Sequence, residues 1–125
     1  MTASPIDRLT TELLTVEVTG AAPEAHVTAA GEVDSSSAPL LRQHIDATLD
    51  GDVRELTVDL TAVSFLDSAG LCVLAAAHSR SVSQGVRLRV LASSRAVVRP
   101  LQITGLWQLL HAEQVEPGDK AGSVA

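Results

Sequence analysis

Residues 55–71 read ELTVDLTAVSFLDSAGL, and the fold turns on how this stretch changes character along its length. In its first half Leu56, Val58 and Leu60 alternate with Glu55, Thr57, Asp59 and Thr61. That period of two marks a strand with one apolar and one polar face. At Asp67, Ser68, Ala69 and Gly70 the period changes. Leu71, Leu74, Ala75, His78 and Val82 then recur at helical spacing, which predicts a helix over residues 68–84 with those five on its inward stripe. Gly85 supplies the residue that ends it. A strand feeding directly into a helix is half of an α/β unit, and the junction carries an acid followed by a hydroxyl.

The same grammar extends outward. Upstream, Leu14, Val16 and Val18 alternate with Thr15, Glu17 and Thr19 as a half-buried strand, and residues 20–24 form a turn. A second strand follows over residues 26–33, with Val27, Ala29, Gly31 and Val33 on one face. Asp34, Ser35, Ser36 and Ser37 offer helix N-caps, and Pro39 suits a first helical turn. The helix they open runs to Leu49 with Leu41, Ile45 and Leu49 inward. Downstream, Val86, Leu88 and Val90 alternate with Arg87 and Arg89 in a fourth strand. A third helix is expected from Ser93 or Ser94 to Gly105, kinked or split by Pro100, and a short fifth strand over residues 109–112.

The order is strand, strand, helix, strand, helix, strand, helix. A short turn makes the first two strands antiparallel, and the helical connections make the next ones parallel. Right-handed crossovers with strands added on one side leave every helix on the same face. The polar alternate face of each strand agrees, since strands covered on both sides are apolar throughout. The expectation is a two-layer α/β domain over residues 12–115: a mixed, mostly parallel sheet of four to five strands with helices on one face. Residues 1–11 are expected to be flexible and residues 116–125 a disordered tail.

Composition narrows the function. The chain of 125 residues suits a single core, built from Leu, Val, Ile and Ala because aromatic residues make up only 2%. A net charge of −6 argues against direct nucleic-acid binding. A single cysteine excludes an internal disulfide and fits a reducing compartment. Neither a signal-peptide core nor a membrane-length apolar run is present. The expected location is cytoplasmic. Cys72 is read as a small buried residue, His78 as a packed core histidine, and Trp107 as covering the end of the core. His26, His44 and His111 show no metal-ligand spacing with His78 or Cys72. No cofactor or metal is expected.

Sites in parallel α/β sheets gather where strand C-termini meet helix N-termini. Two junctions qualify, GEVD at residues 31–34 and DSAG at residues 67–70, and they should share one edge. With SRAVVRPLQITGL at residues 94–106 they complete a three-motif order that resembles the STAS family, and within it the stand-alone bacterial anti-sigma factor antagonists. The resemblance covers residues 13–112. It implies that Ser68, directly after the aspartate, is phosphorylated by a partner serine kinase that is itself the anti-sigma factor. It further implies that the unmodified protein binds this kinase and frees the sigma factor, and that a serine phosphatase reverses the modification. ATP and magnesium come with the kinase. Where many relatives carry a second hydroxyl, this chain has Ala69.

Physical chemistry makes such a switch workable. A phosphate in a helix's first turn meets unpaired N–H groups and the positive dipole end, so its own domain tolerates it. It adds about −1.5 to −2 charges at pH 7 beside Asp67 and Asp34. Like charge at an interface costs on the order of several kcal/mol. The expected partner-binding residues are Asp34, Ser35, Ser36, Asp67, Ser68, Gly70 and Leu71, with Gly70 allowing a partner's backbone close. The plainer readings are capping by Asp34, Asp67 and Ser68, with Ser35, Ser36 and Ser37 as caps or alternative phosphosites. An unphosphorylated accessory or scaffold protein bound to a transport ATPase is the competing function. A serine hydrolase is disfavoured, because there is no G-x-S-x-G elbow and no histidine base near either junction. The free protein is expected to be a monomer.

Overall fold

A computed structural model describes residues 13–116. The expectations for residues 1–11 and for the tail beyond residue 116 lie outside the described residues. The elements in chain order are β1 (Leu14–Ala21), β2 (Glu24–Val33), α1 (Ala38–Leu49), β3 (Glu55–Leu66), α2 (Ser68–Gln84), β4 (Arg87–Ala92), α3 (Arg95–Thr104), α4 (Leu106–Leu109) and β5 (Glu113–Gln114). The five strands lie in the order β1-β2-β3-β4-β5. β1 and β2 are antiparallel, and every later pair is parallel. Sequential order joined by right-handed crossovers keeps the helices together on one side. One core cluster runs between the layers, joining Val16, Val27, Val58 and Leu60 of the sheet to Leu41, Ile45, Leu74 and Leu101 of the helices. No helix among the described residues is long and apolar enough to cross a membrane.

Several local expectations change. Residues 109–112 are not a strand: α4 and the turn after it occupy them, and β5 follows at Glu113–Gln114. The apolar run LWQLL closes one helical turn, with Leu110 buried beneath it. α3 starts after Ser94, as expected, and Pro100 does not split it. Val18 faces the helix side but lies at its margin, 46% exposed.

The largest change concerns α2. Its buried positions are Gly70, Val73, Leu74, Ala77 and Ser81, so of the expected stripe only Leu74 is fully buried, with Leu71 partly buried against the core. Val82 is 67% exposed, His78 is half-buried, and Cys72 is exposed rather than buried. The helix sits close to the sheet, and small side chains make that approach possible. Ranking positions by hydrophobicity alone rotates the helix by about one residue, roughly 100°.

The outer sheet face is also less open than alternation implies. Thr57 and Asp59 on β3 are only 3% and 5% exposed. β3 is central and flanked on both sides: His26 and Arg89 lie beside Thr57, and Thr28 and Leu91 beside Asp59. The Asp59 carboxylate accepts from the Thr61 N–H at 2.9 Å and the Thr61 hydroxyl at 2.7 Å.

The ends of α1 and α2 are tied together. Arg80 donates to the Asp50 carboxylate and, at 3.4 Å, to that of Asp46, while Gln84 donates to the Leu49 carbonyl at 2.8 Å. The last carbonyls of a helix need such external donors.

The orientation of α2 is directly testable. Leu74→Ala should cost about 2–5 kcal/mol, and Val82→Ala less than about 0.5 kcal/mol. The buried Ser81 hydroxyl has no hydrogen-bond partner among the described residues, so Ser81→Ala should be neutral or stabilising by about 1 kcal/mol. Urea denaturation of the three variants measures all of this, and a large loss at Val82 would restore the rotated stripe.

Candidate functional site

The two junctions meet at one edge. Val33 and Leu66 are register partners on neighbouring parallel strands, so Asp34 and Asp67 leave the sheet side by side. The Asp67 N–H donates to the Val33 carbonyl at 3.2 Å, which ties the second junction to the first.

Asp67 is the N-cap of α2. Its backbone is extended, and its carboxylate accepts from the N–H groups of Ala69 at 2.8 Å and Gly70 at 3.4 Å. Its carbonyl accepts the first helical bond, from Leu71 at 3.0 Å. The cap satisfies two of the unpaired donors at this end and places a negative charge on the helix dipole. Ser68 is then the first helical residue. It is exposed, and its hydroxyl has no hydrogen-bond partner among the described residues. Capping falls to Asp67, which leaves the Ser68 hydroxyl uncommitted among the described residues.

The Asp34 loop is built differently. One Asp34 carboxylate oxygen accepts from the Ser36 hydroxyl at 2.7 Å, the Ser36 N–H at 2.8 Å and the Ser37 N–H at 3.1 Å. The Ser37 hydroxyl is fully buried, donates to the Glu32 carbonyl at 2.7 Å and accepts from the Asp34 N–H at 3.0 Å. Ser37 therefore acts as an internal peg and is closed to a modifying enzyme. Ser35 and Ser36 are exposed. The Ser36 hydroxyl first, then the Ser36 and Ser37 N–H groups, hold the Asp34 carboxyl below its ordinary value, against a smaller upward push from burial.

Two glycines allow these junctions to form. Gly31 has φ +119, and a Cβ there would lie 2.0 Å from the Leu13 carbonyl oxygen. That carbonyl also accepts from the Glu32 N–H at 2.9 Å, so β1 closes tightly over the β2 irregularity just before Asp34. Gly70 is buried, and a Cβ there would lie 2.3 Å from Leu66 Cδ1 and 2.9 Å from Val33 Cγ1. The close approach at Gly70 is thus made by its own core. That corrects its expected role at a partner's backbone: the α2 N-terminus must sit directly on the two strand ends.

Of the expected partner-binding residues, Ser35, Ser36 and Ser68 are exposed, Asp34, Asp67 and Leu71 are half-buried, and Gly70 is inside. Two surface residues here were not expected. Cys72 lies four residues after Ser68, so the two share a face of α2. Phe65 is 45% exposed, although it is the chain's single phenylalanine. Its position just before the Asp67 junction was the available signal.

A family model for the STAS domain matches residues 14–117. The chain belongs to the STAS domain family. Among relatives, an anti-sigma-B factor antagonist of Listeria monocytogenes is 31% identical over 96 residues, covering 77% of this chain and 83% of that protein. The anti-sigma-F factor antagonist RsfB of Mycobacterium tuberculosis is 37% identical over 76 residues, covering 61% of this chain and 62% of that relative's length. The crystal structure of an anti-sigma factor antagonist from Mycobacterium paratuberculosis superposes with a TM-score of 0.74 at 32% identity, over 83% of this chain and 89% of that one. The unphosphorylated form of SpoIIAA shares the fold, with a TM-score of 0.69 at 19% identity over 80% of this STAS domain's chain and 87% of its own.

The Asp34 loop should leave an acid signature in the stability of this STAS domain. The folded state lowers the carboxyl's pKa, so the unfolded chain binds this proton more readily. The stability Asp34 provides is complete above its ordinary pKa of 3.8 and is lost as pH falls through the lower folded value. Asp34→Asn should flatten the acid limb of unfolding free energy against pH and leave the neutral-to-alkaline shape unchanged. An unaltered acid limb would show that the Ser36 and Ser37 bonds do not favour the charged form.

Proposed function

We propose that this STAS domain is an anti-sigma factor antagonist that acts by binding, and that phosphorylation of Ser68 switches it off. The carrying observation is the exposed, unpartnered Ser68 hydroxyl at the start of α2, with capping done by Asp67. Family membership and relatives named as antagonists support the reading. In the unmodified state the edge of Asp34, Ser35, Ser36, Asp67, Ser68 and Leu71 docks on an anti-sigma factor that is also a serine kinase. That partner brings ATP and magnesium, and Ser68 reaches its nucleotide. The antagonist itself contributes only a positioned hydroxyl.

Transfer of the phosphoryl group places about −1.5 to −2 charges between two carboxylates that already share the edge. The α2 N-terminus accommodates that charge within its own domain. A partner surface packed on the edge cannot, and the complex separates. A serine phosphatase then resets Ser68. The free antagonist is a monomer, so the whole edge is available to its partner.

Incubation with an ATPase-type anti-sigma kinase and Mg-ATP, followed by peptide mass spectrometry, should map one phosphate to Ser68. Ser68→Ala should bind that kinase as the native chain does and take no phosphate. Ser68→Asp should bind about 10–100-fold more weakly. Equal affinity of the two variants contradicts a charge switch. Tight binding to such a kinase with no phosphate on any serine would instead favour an unmodified scaffold.

A further inference from the structure

We propose that a second, cationic and apolar groove beside the Ser68 edge docks an acidic amphipathic helix of the partner, so that the switch edge and the groove form one continuous interface. The proposal rests on the reading of the Ser68 edge as a partner surface and names the chemistry of the partner. The groove lies between the end of β3 and the outer face of α3, has a volume of about 540 Å³, and is lined by Phe65, Leu66, Ala96, Pro100, Ile103 and Thr104 with Arg95 and Arg99. It begins at the residues that immediately precede Asp67. The Ser94 hydroxyl donates to the Val63 carbonyl at 3.2 Å, which holds the start of α3 against the end of β3.

Three features set this surface apart. Phe65 and Ile103 are 45% and 73% exposed, whereas most other large hydrophobic side chains among the described residues are buried. Aromatic residues and arginines, both present here, are enriched at interfaces. α3 turns Val97, Val98 and Leu101 into the core, while Ala96, Arg99 and Ile103 follow helical spacing on its outer side. A groove along ten helical residues is about 15 Å long, which suits two to three turns of a docked helix.

Charge selects the occupant. Arg95 and Arg99 are exposed and have no ion-pair partner among the described residues, and no carboxylate lines the groove. On a chain of net charge −6 this is a local reversal of sign. A second copy of this chain in a two-fold contact would set arginines against arginines, which like-charge repulsion opposes. A partner helix with leucine or isoleucine on one face and carboxylates at its margins satisfies both parts of the surface.

The test uses the full chain labelled with ¹⁵N and two synthetic peptides of about 16 residues, a length chosen to exceed the groove. Each carries Leu on one helical face, with Glu at the flanks in one and Lys in the other. The acidic peptide should shift the resonances of Phe65, Arg95, Arg99 and Ile103 saturably, and the basic peptide should not. Arg95→Gln with Arg99→Gln should weaken the acidic peptide about fivefold and remove most of its salt dependence. Phe65→Ala should weaken it about tenfold. If that variant loses its native circular dichroism, the exposed arginine pair decides alone. Equal binding of both peptides, shifts mapping elsewhere, the same resonances moving with protein concentration alone, or their moving when residues 1–12 are deleted would each overturn the proposal. The two readings fail separately, because this experiment contains neither kinase nor phosphate. An unphosphorylated Ser68 would remove the switch and leave the groove, whereas lost charge preference would remove the groove and leave the switch.

Discussion

Asp67 holds the functional edge together, and the rest of the edge depends on it. Its N–H bonds the end of β2, its carboxylate bonds the first free N–H groups of α2, and its carbonyl accepts the first helical turn. One residue thereby fixes the strand end, the helix start and the direction of Ser68. Gly70 completes the arrangement from the inside, because any side chain there would collide with Val33 and Leu66. The Ser68 hydroxyl is presented by rigid elements rather than by a loop, so a change at Ser68 meets a preformed platform.

The electrostatics of that platform are asymmetric. Toward its own domain, Ser68 faces the positive end of a helix seventeen residues long. Toward solvent, it is exposed at the edge where Asp67 and Asp34 leave the sheet side by side from paired strand positions. The same added charge is therefore favourable within the fold and unfavourable across an interface. In the proposed switch, added charge at Ser68 changes affinity while leaving the domain intact. The docking proposed for the cationic groove along α3 extends the same logic to recognition, because it would seat an acidic partner next to the edge proposed to carry the phosphate.

Much of this was legible in the sequence. The alternation of β3 and the change of period at Asp67 specify the strand–helix unit. What could not be read follows from tertiary distance. The α2 stripe was misplaced because Gly70, Ala77 and Ser81 face inward through closeness to the sheet, which no hydrophobicity pattern records. Cys72 came out on the surface for the same reason. Gly70 looked like a gap for a partner until Leu66 and Val33 were seen to fill it. Thr57 and Asp59 alternate as exposed residues should, yet both are buried on the central strand, which alternation along one strand does not record. The run at residues 109–112 is apolar enough for either a strand or a helical turn, and length alone did not decide between them.

The most direct test of a charge acting on a rigid platform is the stability of the fully Ser68-phosphorylated protein relative to the unmodified one, from urea unfolding at low ionic strength. The account predicts equal or slightly greater stability for the phosphorylated form, by up to about 1 kcal/mol, with the gain declining as salt is added. A loss of about 2 kcal/mol or more would contradict it, since that would mean phosphate works by disrupting the α2 N-terminus rather than by repelling a partner.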